Sequence, residues 1–157
     1  MLQKRGMTEI ENFLNNNICK YLIDFFKSYK GELKRYLDRN IIQLQEIQTD
    51  DKIILDTIDL YKTIRPTQKL KNIELICWPG KGSHTWHKDI LYYDLTTITY
   101  LNDNYVGGRT WVDKYEVQPK PGKLILFDSS MDHMVTELKQ NDRFVLVAWY
   151  TNLNREQ

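Results

Sequence analysis

The chain has 157 residues, with 22 Lys+Arg against 21 Asp+Glu and a formal net charge of +1. That length predicts one domain over 1–157 with a real core, and a composition 41% apolar and 27% charged excludes a disordered chain. No apolar run reaches the ~18 residues of a membrane span, residues 1–7 carry no signal-peptide h-region, and the near-zero charge gives no drive toward nucleic acid or acidic membranes, so the expectation is a cytoplasmic protein with neither as partner.

Ile18, Tyr21, Leu22, Phe25, Phe26 and Tyr29 recur at the spacing of one helix face. The run Asn15-Asn16-Asn17 offers the N-cap and Gly31 a C′ stop. A second helix is predicted from 50 or 51 to about 64, ended by Arg65-Pro66. The stretch 32–48 is ambiguous, a helix followed by a strand being one reading. From Leu70 the pattern turns to short β-rich runs at about 70–78, 95–101, 109–112, 115–118, 123–127 and 143–150. Pro79-Gly80, Asn102-Asp103-Asn104, Gly107-Gly108 and Pro121-Gly122 separate them with turn chemistry.

Strands this short and this closely spaced predict a sandwich or jelly roll. In the last run Arg143, Val145, Val147 and Trp149 share one face and Phe144, Leu146, Ala148 and Tyr150 the other. Both faces are largely apolar, so the outer one needs a cover, and the N-terminal helices are the available one. The expected fold is α+β: a helical cover over about 8–66, packed on the outer face of one sheet of a β core over about 70–153. Cys19 and Cys77 belong to no metal or disulfide pattern and read as reduced, buried thiols.

Three histidines are present, His84, His87 and His133. His87-Lys88-Asp89 is an H-x-D in a strand-like context, and residues i and i+2 of a strand point the same way, so an imidazole and a carboxylate can meet on one ion. His133, after the strand that ends near Asp128, can supply a third ligand. Two His and one carboxylate on one face of a metal is the arrangement of non-heme Fe(II) oxygenases, although H-x-D with a distant His also occurs as ordinary polar residues. Arg143 opens an otherwise apolar inner face, where an unpaired charge is costly, so it needs an anion. That anion is either a protein carboxylate or one end of a dicarboxylic cosubstrate, and Tyr100 can reach the same group.

Over about residues 70–153 the sequence resembles the 2-oxoglutarate- and Fe(II)-dependent dioxygenases of the prolyl 4-hydroxylase group. The matching pieces fall in the family order: Cys77-Trp78-Pro79-Gly80, His87-Lys88-Asp89, Ile98-Thr99-Tyr100-Leu101-Asn102, Gly107-Gly108, the run 119–127, His133-Met134-Val135, and Arg143 with Trp149-Tyr150. The resemblance implies a double-stranded β-helix with Fe(II) on His87, Asp89 and His133, these with Arg143 forming the catalytic set. It further implies 2-oxoglutarate held by Arg143 and Tyr100, with Trp149 and Trp78 lining its pocket. O2 is the other cosubstrate, succinate and CO2 are the by-products, and ascorbate is a loose family expectation. Retention of Asp89 implies hydroxylation, because related halogenases lack that carboxylate.

Trp78 departs from the family, which usually has Tyr there, and the segment from Pro79 to His87 is short. His84 and Trp86 flank the metal motif and are candidate substrate contacts, with an exposed loop (His84) and a core or interface role (Trp86) as the alternatives. The relatives that demethylate nucleic acids carry a second inward Arg, where this chain has Val145, Val147 and Trp149. The expected substrate is a peptidyl or protein side chain, proline first. A free amino acid or small metabolite is the in-class alternative, and a non-catalytic metal-binding jelly roll the alternative from another class. Oligomeric state stays open.

Overall fold

The computed structural model describes residues 2–4, as backbone alone, and residues 6–155. In chain order the elements are β1 Leu2–Lys4, β2 Met7–Ile10, α1 Asn16–Ser28, β3 Lys34–Tyr36, β4 Arg39–Gln43, α2 Lys52–Lys62, β5 Gln68–Trp78 and β6 His84–His87. There follow β7 Leu95–Tyr100, β8 Val106–Gly107, β9 Thr110–Val112, β10 Tyr115–Val117, β11 Leu124–Asp128, β12 His133–Val135, β13 Leu138–Gln140 and β14 Arg143–Asn152. Eight strands form one antiparallel sheet in the order β1-β2-β11-β7-β14-β5-β4-β3, and four form a second in the order β10-β9-β12-β6.

The two faces of β14 lead into two separate cores. Arg143, Val145, Val147 and Trp149 stand opposite Trp78, Ile76, Glu74 and Asn72 of β5. On that inner side Ile76, Ile98, Ile125, Phe127, Val145 and Val147 pack with Val112 and Val135 of the smaller sheet. On the outer side Leu75, Cys77, Phe144, Leu146, Ala148 and Tyr150 pack with Cys19 and Leu22 of α1 and Ile54, Ile58 and Tyr61 of α2. Phe26 meets Phe144 edge-on with centroids 5.7 Å apart, and the Tyr150 hydroxyl donates to the Tyr61 carbonyl at 2.7 Å. Each helix starts where its cap is: Asn15 accepts from the Ile18 amide and Asp51 from the Ile54 amide, a contact worth about 1 kcal/mol.

The region 8–66 is not a purely helical cover. β2, β3 and β4 lie within it and extend the large sheet at both ends. β2 hid behind a buried acid: Glu9 points inward and is neutralised by Lys123 at 2.7 Å, so the strand carries no apolar alternation. Residues 34–43 form a β3–β4 hairpin in place of a helix and strand. β3 is fully exposed and charged, and Leu37 takes φ 55° at a turn where Gly or Asn would have announced it. α1 stops at Tyr29 in extended conformation, two residues before Gly31, which instead lies against the Tyr29 ring.

Candidate active site

β6 and β12 are neighbours in the small sheet, and their register sets His87 directly opposite His133. The imidazoles are 4.0 Å apart, and with Asp89 they bring one donor atom each within 4.8 Å of the others. His87 and Asp89 do not share one strand, contrary to the expectation from their spacing. β6 ends at His87, so Asp89 reaches the pair from the following turn and strand parity plays no part. That turn is fixed by its backbone: the Asp89 amide donates to the Ser129 carbonyl at 2.8 Å, and the Tyr93 amide donates back to Asp89 at 3.0 Å.

Both histidines are oriented as ligands. His87 Nδ1 lies 2.7 Å from the Thr85 carbonyl and His133 Nδ1 lies 3.1 Å from that of Met131. A carbonyl only accepts, so Nδ1 carries a proton in each ring and Nε2 is the nitrogen turned toward the triad. Burial, then the neighbouring His133, pulls the His87 pKa below its ordinary value. Asp89 accepts on Oδ2 from the Thr96 hydroxyl at 2.9 Å and from the Trp149 indole at 3.1 Å. Burial by itself would raise this carboxyl, but bonds and charge from His133, with those of Trp149 and Thr96, hold it down at about 2. Two imidazoles and one carboxylate are the donor set that suits Fe(II).

Arg143 lies on the inner face of the same barrel and is 1% exposed. Its Nη2 donates to Thr110 Oγ1 at 2.9 Å, to which Tyr100 also donates at 2.7 Å. Its Nε is buried with no partner, and no carboxylate among the described residues pairs with it. Gly108, at φ 59°, makes room: a Cβ there would come 3.2 Å from Arg143 Cδ. A guanidinium so enclosed is stable only with an anion beside it. One carboxylate of 2-oxoglutarate fits that need.

The remaining expected residues divide. The Trp149 ring stacks on Tyr93 at 5.4 Å and donates to Asp89, so it sits beside the triad. Trp78 is buried, with the guanidinium groups of Arg143 and Arg39 over its ring at 5.0 and 4.7 Å. His84 stacks on His87 at 3.6 Å because a bulge in β6 sets four residues against three of β12 and turns both rings to one side. Trp86 instead faces solvent, 50% exposed. Sequence reasoning missed Thr96, Thr110 and Arg39. The two threonines sit at inward strand positions that parity marks, whereas Arg39 lies on the hairpin that went unrecognised.

The depressed pKa values make acid a test of the site. His84 is lowered to about 3, by burial and then by His87, and Asp89 to about 2. For each group the folded pKa lies below the unfolded one, so its contribution is complete above the unfolded pKa and is lost as pH falls through the folded value. The metal-free protein should therefore lose stability from about pH 6.5 downward, with a further loss between about 4 and 2. A melting temperature that stays level from pH 7 to pH 4 would contradict this burial of neutral imidazole.

Comparison with known proteins agrees with the geometry. The sequence model of the 2OG-Fe(II) oxygenase superfamily matches residues 73–151, just over half of the chain. A PKHD-type hydroxylase of Synechococcus sp. (strain CC9605) is 28% identical over 102 residues, 57% of this chain and 46% of the relative. The chain thus covers about half the length of that curated relative. The fold is shared with a viral collagen prolyl hydroxylase of Paramecium bursaria Chlorella virus-1, at TM-score 0.71 and 15% identity over 95% of this chain and 97% of that one. It is shared also with a Trichoplax adhaerens prolyl hydroxylase, solved with a fragment of hypoxia-inducible factor, at TM-score 0.66 and 20% identity over 96% and 88%. With the matched segment running from the strand of Trp78 through both histidines to Trp149, the chain belongs to the 2OG-Fe(II) oxygenase superfamily.

Proposed function

We propose that this chain is an Fe(II)- and 2-oxoglutarate-dependent hydroxylase of a peptidyl or protein side chain, proline first, acting as a single domain in the cytoplasm. The observation that carries the reading is the pairing of two unsatisfied sites in one barrel: a metal-ready triad and a buried guanidinium without an anion. Iron and 2-oxoglutarate, bound there, would supply oxidation of a C–H bond by O2 with loss of CO2 from the cosubstrate. His87, Asp89 and His133 would hold the metal from one side and leave the other for exchangeable ligands. Arg143, with the Tyr100–Thr110 hydroxyl pair, would fix the far carboxylate and so set the orientation of the near end.

A peptide is favoured by the surroundings of the site and by the names of the relatives. Tyr36, Trp86 and Tyr92 stand exposed on the hairpin, the metal strand and the Asp89 turn, and flat aromatic surfaces suit an extended peptide better than a small metabolite. The test is an anaerobic titration of the Fe(II)-loaded protein with 2-oxoglutarate, following the visible band of the chelate, with His87→Ala as control. A saturable band in wild type alone is the expected result. A folded, metal-loaded wild type without the band would leave a metal-binding protein with no oxygenase site. A gain of 16 Da in a peptide pool, and not in a pool of free amino acids, would then identify the substrate class.

A further inference from the structure

One charged group in the barrel has no part in the chemistry above. Glu74 is 9% exposed, on the β5 face that carries Ile76 and Trp78. It stands opposite Val147, one inward position from the Asn72–Trp149 pair. Trp149 is the side chain that touches Asp89, so Glu74 faces the chamber of the triad. Its Oε2 accepts from Asn72 Nδ2 at 3.0 Å and from Gln43 Nε2 at 3.1 Å, and both bonds fall on that one oxygen.

Neutral amides hold this carboxylate in place without balancing its charge. None of the ion pairs among the described residues includes it. Lys34 is turned to Gln43 and Glu46. Arg39 is near enough for Glu74, Asp89 and Arg143 all to act on its charge, yet its Nη2 is buried with no partner. A carboxylate this enclosed gains most from a cation that arrives with a ligand. A second feature points the same way. Tyr93 lies stacked on Trp149 and bonds to Asn72, the residue that also holds Glu74. A fixed carboxylate beside aromatic rings is a receptor for a protonated nitrogen.

We propose that Glu74 and the Tyr93–Trp149 pair form a specificity site for a cationic nitrogen of the substrate, so that the oxidised residue of the peptide is flanked by lysine or arginine. This rests on the peptide-hydroxylase reading and narrows it. Glu74 selects the substrate through charge, and its neighbours Asn72 and Gln43 keep the carboxylate aimed into the chamber.

The experiment uses two acetylated, amidated peptides, Ala-Pro-Lys-Ala and the same sequence with norleucine in place of lysine, which removes the charge and keeps the carbon chain. Each is titrated calorimetrically into the Fe(II)- and 2-oxoglutarate-loaded protein without oxygen. The lysine peptide should bind at least about tenfold more tightly. Glu74→Gln should remove that preference, and Glu74→Asp, which keeps the charge, should retain part of it. Equal binding of the two peptides by wild type, binding of neither, or a preference that survives Glu74→Gln would each overturn the proposal. Failure of the oxygenase reading would look different: the chelate band would be missing while the peptide preference stayed readable in the heats.

Discussion

Arg143→Ala should weaken 2-oxoglutarate binding by about 10²–10³-fold and leave metal affinity nearly unchanged. The guanidinium is buried, donates to Thr110 and has no protein anion beside it. In the metal- and cosubstrate-free protein it is a cation taken out of water with too few partners, which opposes folding. Removing it should therefore cost the free protein little stability beyond the packing of its stem against Trp78 and Tyr100. The benefit of having Arg143 is realised only when a carboxylate arrives. Two titrations of the variant, one with metal and one with 2-oxoglutarate, check this, together with its melting temperature. Equal loss of both affinities with a large drop in melting temperature would make Arg143 a structural residue. Arg143→Lys should recover part of the cosubstrate affinity, since a point charge replaces the planar fork but gives up its bidentate geometry.

How much of this was legible in the sequence depended on whether a residue sat in regular structure. The parity of β14 placed Arg143 and Trp149 on one face and Phe144 through Tyr150 on the other, and the two cores follow that division. Tyr100 and Arg143 could be matched as partners because both lie on strands with plain alternation, and they meet at Thr110. Asp89 was found for a reason that does not hold. The strand stops at His87, and what brings the carboxylate to the two histidines is a turn anchored on Ser129. His84 joins His87 only through the bulge in β6, and a bulge leaves no mark in periodicity. The β3–β4 hairpin was lost because its turn uses Leu37 at positive φ and its outer strand has no apolar face. Arg39 and Gln43, which reach Trp78 and Glu74, were lost with it.

Asp89→Asn should lower Fe(II) affinity by at least about 100-fold and remove turnover with it. The amide keeps the size of the carboxyl group and can still accept from Thr96 and Trp149, so the turn should survive. What it loses is the negative charge, which at neutral pH is secure in wild type because the pKa stands at about 2. Trp149→Phe makes the comparison informative. It preserves a ring to stack on Tyr93 but removes one hydrogen bond to an ionised acceptor, worth about 1.5–3 kcal/mol. Its metal affinity should fall by about tenfold, far less than in Asp89→Asn. Competition against a coloured chelator measures both. If Asp89→Asn held iron as tightly as wild type, the two histidines alone would bind the metal, and Asp89 would serve only to anchor the turn through Thr96 and Trp149. If Trp149→Phe were the more damaging of the two, the indole would act on the metal site through packing, because a single hydrogen bond cannot outweigh a coordinating charge.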